Sequence, residues 1–92
     1  MDTNMAGKPL KMMVAATFLD GAARNAETVH QLVAGSYPSE RYCSRATIAE
    51  HLKSLKAVGV LQEDGSYLDD TGALVSVYRI SEYGVEKLRK AQ

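Results

Sequence analysis

The sequence predicts a mainly α-helical domain with one small antiparallel β-hairpin, in the order helix, helix, helix, strand, strand, helix. Three observations carry that reading. Apolar residues recur at helical spacing in three segments before residue 58. After Gly59 the chain changes character, with turn signals at Asp64-Gly65 and Asp69-Asp70-Thr71-Gly72 and a β-rich run from Leu74 to Ile80. Ser81 then opens a last amphipathic segment, with Lys87, Arg89 and Lys90 near its end, where cations suit a helix C-terminus.

The elements follow in order. Residues 1–8 are polar and mixed and read as a loose N-terminal arm; residues 9–92 read as one domain. The first helix runs from about Pro9, a favoured first-turn residue, to about Ala23, and Leu10, Met13, Val14, Thr17 and Phe18 share one face. Asn25 caps a second helix, Ala26 to Ala34, with Val29, Leu32 and Val33 as its apolar stripe and Gly35 as its stop. Ser36 to Cys43 is a connecting loop, since Tyr37 precedes Pro38 and is disfavoured in helix. Ser44 caps the strongest helix, Arg45 to about Val58, whose Ile48, Leu52 and Leu55 stand at i, i+4 and i+7. Gly59 ends it. A strand starts at Val60, and the hairpin closes at residues 69–72; a turn at Asp64-Gly65 offers a third short strand. In the last helix Val85 and Leu88 face inward.

Composition sets the outer bounds. The 92 residues carry 11 Lys or Arg and 11 Asp or Glu, a formal net charge of zero, which excludes a polycation and an acidic tail protein. Hydrophobic residues at 46% and charged residues at 24% are ordinary for a globular protein and argue against wholesale disorder. The chain has no apolar run long enough to span a membrane. One cysteine cannot form an intramolecular disulfide and fits a reducing, cytoplasmic setting. Lys8 and Lys11 before an apolar stretch imitate a secretory signal, but the stretch ends at Asp20 and its helical spacing favours a core helix.

The local residues sharpen the picture. Ser44-Arg45-Ala46-Thr47-Ile48-Ala49-Glu50-His51-Leu52-Lys53-Ser54-Leu55 resembles the recognition-helix segment of bacterial ArsR-type and MarR-type repressors. Ala57-Val58-Gly59-Val60-Leu61 resembles the helix stop and first strand of those families. Tyr78-Arg79-Ile80-Ser81-Glu82-Tyr83-Gly84 resembles the strand-to-helix corner of MarR-like and PadR-like regulators. Together these segments cover about half the chain, Ser44 to Leu88. The resemblance implies a winged helix-turn-helix, a transcriptional regulator of prokaryotic, phage or plasmid origin, double-stranded DNA as partner, and a homodimer built on the first and last helices. Two departures stand out. The loop before the third helix is longer than the turn of three or four residues that is usual there, leaving room for an extra helical turn over residues 39–42. The hairpin carries Glu63, Asp64, Asp69 and Asp70 with no cation before Arg79.

With Ile48, Leu52 and Leu55 buried, the opposite face of the third helix presents Ala46, Thr47, Glu50, Lys53, Ser54 and Ala57. Arg45 stands at the N-terminal edge, where recognition helices meet base edges. Arg45 suits guanine, Glu50 the cytosine amino group, and Thr47 and Ser54 bases or phosphates, while Ala46 allows close approach. Arg41, Ser44, Lys53 and Lys56 suit phosphates, and Ser44 also presents a helix N-terminus. From Arg41 to Lys56 four cations stand against one anion; from Val60 to Gly72 there are four anions and no cation. The zero sum is therefore a cancellation of two poles, and one pole can steer a face onto DNA.

Other chemistry is not signalled. No glycine-rich phosphate loop, nucleophile motif or paired catalytic carboxylates occur, so no enzyme activity and no cofactor are expected. Cys43, His30 and His51 lack metal-ligand spacing, and His51 flanks the buried stripe as a packed residue. The competing reading is a winged-helix interaction module, or a replication accessory factor, that meets a basic protein partner through Asp69 and Asp70.

Overall fold

The structure is a computed structural model that describes residues 10–35 and 43–91, Ala91 by its backbone alone. Its elements are α1 (Leu10–Ala16), α2 (Ala26–Ala34), α3 (Arg45–Ala57), β1 (Leu61–Leu68), β2 (Leu74–Ile80) and α4 (Glu82–Ala91). The expected order is observed. The proposed turn over residues 39–42 lies outside the described residues.

Helix α1 ends at Ala16, well before Ala23. The chain tightens there: Phe18 N–H donates to Ala15 O at 3.1 Å and Leu19 N–H to Ala16 O at 3.1 Å, three residues back rather than four. The Asp20 carboxylate accepts from Ala22 N–H at 2.9 Å and from the Arg24 guanidinium, offering the backbone an alternative to helix. Phe18 still reaches the core and is fully buried. Asn25 caps α2 by accepting from Thr28 N–H at 2.9 Å. The stripe of α2 is narrower than its sequence suggests: Val29 and Val33 are buried, whereas Leu32 is 51% exposed. At 100° per residue Leu32 stands on the flank of the Val29–Val33 row.

Helix α3 is the spine of the domain. Ser44 caps it, accepting from Thr47 N–H at 3.1 Å, and Ile48, Leu52 and Leu55 are buried. At its end Gly59 takes φ +87, Gly59 N–H donates to Lys56 O at 3.0 Å and Val60 N–H to Leu55 O at 2.9 Å. This is a Schellman closure, and it turns the chain directly into the hairpin.

β1 and β2 pair antiparallel from Leu61↔Ile80 to Leu68↔Leu74. Asp64-Gly65 does not start a separate strand. It forms a bulge between Glu63 and Ser66 inside a continuous β1, with Gly65 at φ +109. The third strand position is taken instead by Arg24, whose backbone exchanges two hydrogen bonds with Tyr78, at 2.9 and 2.8 Å. Ser81 Oγ accepts from Gly84 N–H at 2.9 Å and caps α4, and Ser81 N–H donates to Val60 O at 3.0 Å. Leu88 is buried and Val85 packs against the core. A single apolar cluster of α1, α2, α3, Cys43 and the base of the hairpin holds these elements together.

Candidate nucleic-acid interface

The exposed face of α3 is where the sequence places a reading surface. Arg45, Ala46, Glu50, Lys53, Lys56 and Ala57 are exposed, while Ser44 and Thr47 are half-buried. Arg41 lies outside the described residues. Ser44 and Thr47 are occupied with each other: the two hydroxyl oxygens are 3.0 Å apart, and Ser44 Oγ also takes the Thr47 N–H. Ser54 is turned toward α1, where it accepts from Lys11 Nζ at 2.6 Å, and so stands off the free face. Sequence spacing cannot show that bond, because Lys11 is 43 residues away.

Each described cation of α3 has an acidic neighbour. Arg45 Nη1 lies 3.4 Å from Glu27 on α2, Lys53 lies 3.9 Å from Glu50 on the same helix, and Lys56 lies 3.0 Å from Glu63 on β1. Glu63 carries a lowered pKa and Lys56 a raised one, in both cases chiefly because of the hydrogen bond between them. Exposed pairs of this kind add little stability. Glu27 is a residue the sequence reading missed, and Asn25 reads there only as a helix cap. The only sequence signal of Glu27 is a place at the α2 N-terminus.

The hairpin is acidic in two different ways. Near its base Glu63 is held by Lys56, and Asp64 by Arg79 at 3.1 Å. Arg79 also donates to the Gly21 carbonyl. At the tip Asp69 builds the turn: its Oδ1 accepts from Thr71 Oγ1 at 2.6 Å, Thr71 N–H at 2.8 Å and Ala73 N–H at 3.0 Å. Those bonds, led by the Thr71 hydroxyl, hold its pKa below the usual carboxylate value. Tyr67 on β1 accepts from Asn25 Nδ2 at 2.7 Å and ties the hairpin to α2. Between them the α2 N-terminus, α3 and the hairpin enclose an open cleft of about 330 Å³, lined in part by Glu27, Arg45, Ala49, Lys53 and Leu74.

His51 lies on the other side of α3, partly buried near Lys11. Burial first, and the Lys11 charge second, push its pKa down and favour the neutral ring. His30 Nε2 lies 2.8 Å from the Cys43 carbonyl oxygen, and Cys43 itself is buried. Among the described residues no three His, Cys, Asp or Glu side chains cluster as a metal site. No helix among them is long and apolar enough to cross a membrane.

No family model matches the chain, and no curated protein matches it in sequence. One solved structure is similar: that of a putative transcriptional regulator from Thermoplasma acidophilum, with a TM-score of 0.72 over 90% of this chain and 76% of that one, at 14% identity. The fold is a winged helix. In its terms α3 is the third helix and β1–β2 the wing, and the cleft between them is the concave side of the module.

Proposed function

We propose that this winged-helix protein is a sequence-specific DNA-binding transcriptional regulator, acting as a repressor by occupying its site, with α3 in the major groove. One observation carries the reading. α3 projects a face of Arg45, Ala46, Glu50 and Lys53 that no core packing claims, with Arg45 and Ala46 in its first turn. The regulator-like fold of the solved neighbour supports it. Arg45 reads a guanine, Glu50 accepts from a cytosine amino group, and Lys53 and Lys56 exchange their carboxylate partners for phosphates. Thr47 and Ser44 serve through the helix cap they build, and Ser54 is left to α1.

The protein acts as a homodimer through α1 and α4. An apolar groove of about 330 Å³ between α1, the end of α3 and α4 supports this; Val58, on its wall, is 57% exposed. Asp69 and Asp70 are assigned to protein rather than to DNA contact, since like charge repels phosphate.

The test is a gel shift against a selected DNA pool. Loss of a bidentate guanine contact costs about 1–3 kcal/mol, so Arg45→Ala lowers affinity roughly 5- to 150-fold and relaxes preference at one base position. Unchanged affinity and preference in Arg45→Ala would overturn the assignment of α3. Binding followed against salt gives a slope of roughly −0.9 per phosphate contact.

A further inference from the structure

The ion pairs of the described residues leave charges over at the hairpin tip and along α4, where Glu82, Glu86, Lys87, Arg89 and Lys90 stand. Arg24, Arg45, Lys53, Lys56 and Arg79 each lie beside a carboxylate. Among the described residues no ion pair reaches Asp69 or Asp70 at the hairpin tip, nor Lys11 or Lys87 at the α1–α4 groove. Lys11 donates to the Ser54 hydroxyl, and Lys87 stands 5.8 Å above the Tyr83 ring, both contacts that leave the charge uncancelled.

The apolar surfaces match that division. Leu68 and Leu74 face each other across the strands beside the turn, and each is 68% exposed. At the other end, Met12, Val58 and Val60 wall the groove of about 330 Å³ whose rim holds Lys11 and Lys87. One end is a paired apolar knob with two negative charges beside it, and the other is an apolar groove with two positive charges beside it. The knob is also rigid, because the Asp69 carboxylate fixes the turn with three hydrogen bonds. A preformed tip loses little freedom on docking.

We infer that the hairpin tip of one copy of this chain docks in the α1–α4 groove of a second copy, Leu68 and Leu74 entering the groove and Asp69 and Asp70 meeting Lys11 and Lys87. The inference rests on the self-association proposed above and names its contact. Opposite charge aligns the two ends, and burial of the leucines holds them. In a two-fold dimer the contact is made twice, the tip of each copy meeting the groove of the other.

Sedimentation velocity of the full chain over a range of concentration and salt tests it, with circular dichroism confirming the fold of each variant. The wild type self-associates, less so at high salt. Asp70→Lys and Lys87→Asp, both exposed substitutions, each weaken association on the order of tenfold. A mixture of the two variants recovers it, because the intact tip of one meets the intact groove of the other. Leu68→Asn/Leu74→Asn abolishes it. A wild type that stays monomeric throughout overturns both the contact and the self-association reading. A wild type that associates, with variants that associate equally well, leaves self-association standing and overturns the tip-in-groove contact. Failure of the mixture to recover association also overturns it.

Discussion

Replacing Gly84 with alanine ought to help a helix, and here it should harm one. Gly84 sits in the first turn of α4, and alanine in place of glycine inside a helix is ordinarily better by about 1 kcal/mol. A Cβ at Gly84, however, would lie 2.2 Å from the Val60 carbonyl oxygen and 2.9 Å from Ile80 Cγ1. Ordinary contact begins at 3.4 Å, so α4 must back away from Val60 by the difference of 1.2 Å. That oxygen also accepts the Ser81 N–H at 3.0 Å, so the move pulls on the α4 cap and on Leu88 behind it. Overpacking costs about 1–3 kcal/mol and a weakened hydrogen bond about 1 kcal/mol. After the gain in propensity, the net loss is about 1–3 kcal/mol, or roughly 5–20 °C in Tm for a domain of this size. Gly35→Ala is the matched control: its φ is −68 and nothing lies within 4 Å of the added carbon. It should be neutral or gain up to about 1 kcal/mol. Urea and thermal unfolding followed by far-UV circular dichroism compare the two. If Gly84→Ala proves as stable as Gly35→Ala, the close approach of α4 to Val60 is wrong.

Phe18→Ala empties the fully buried centre of the core and should cost about 3–5 kcal/mol, enough to leave a domain of ordinary stability partly unfolded; the urea midpoint reads it. Asp20, Glu63 and Asp69 have lowered pKa values in the fold, from the Arg24, Lys56 and Thr71 hydrogen bonds respectively. Their stabilisation is present above the unfolded carboxylate pKa and is lost as pH falls through the folded values, so the urea midpoint should drop from pH 4 downward, and Asp20→Asn should flatten the drop. His51, with its lowered value, adds a separate loss as pH falls below the usual histidine pKa; an NMR titration of its ring should give a midpoint under 6.5. Glu63→Gln frees Lys56 from its partner 3.0 Å away. DNA affinity should then rise at low salt and the log–log salt slope steepen by up to roughly 0.9; a flat response would remove Lys56 from the phosphate contacts.

The parts of the fold that depend on neighbours in sequence were legible in the sequence. Asn25 and Ser44 cap the helices they were expected to cap, because an N-cap bond spans three residues. Gly59 ends α3 and residues 69–72 turn the hairpin for similarly local reasons. The errors arose where distant residues decide. α1 stops early because Asp20 and Arg24 favour a turn that leads Arg24 to Tyr78, far along the chain. Leu32 is exposed because only the Val29–Val33 row of α2 meets the core. The same holds for the candidate interface. The exposed face of α3 followed from periodicity, but the Glu27–Arg45 and Lys11–Ser54 contacts that edit it are tertiary and left no pattern to read.

The outer edge of β1 bears on how copies of the chain avoid one another. β2 is flanked by β1 and, at Tyr78, by Arg24, whereas among the described residues no backbone pairs with the far side of β1. An open strand edge is a template for fibre-like stacking between molecules. This one carries two successive carboxylates, Glu63 and Asp64, and is bent at the Gly65 bulge immediately after them. A second β1 laid alongside would have to follow a strand that is not straight and to crowd two carboxylates already held by Lys56 and Arg79. The bulge and the acids of β1 thus act as a guard against sheet extension between copies of the chain.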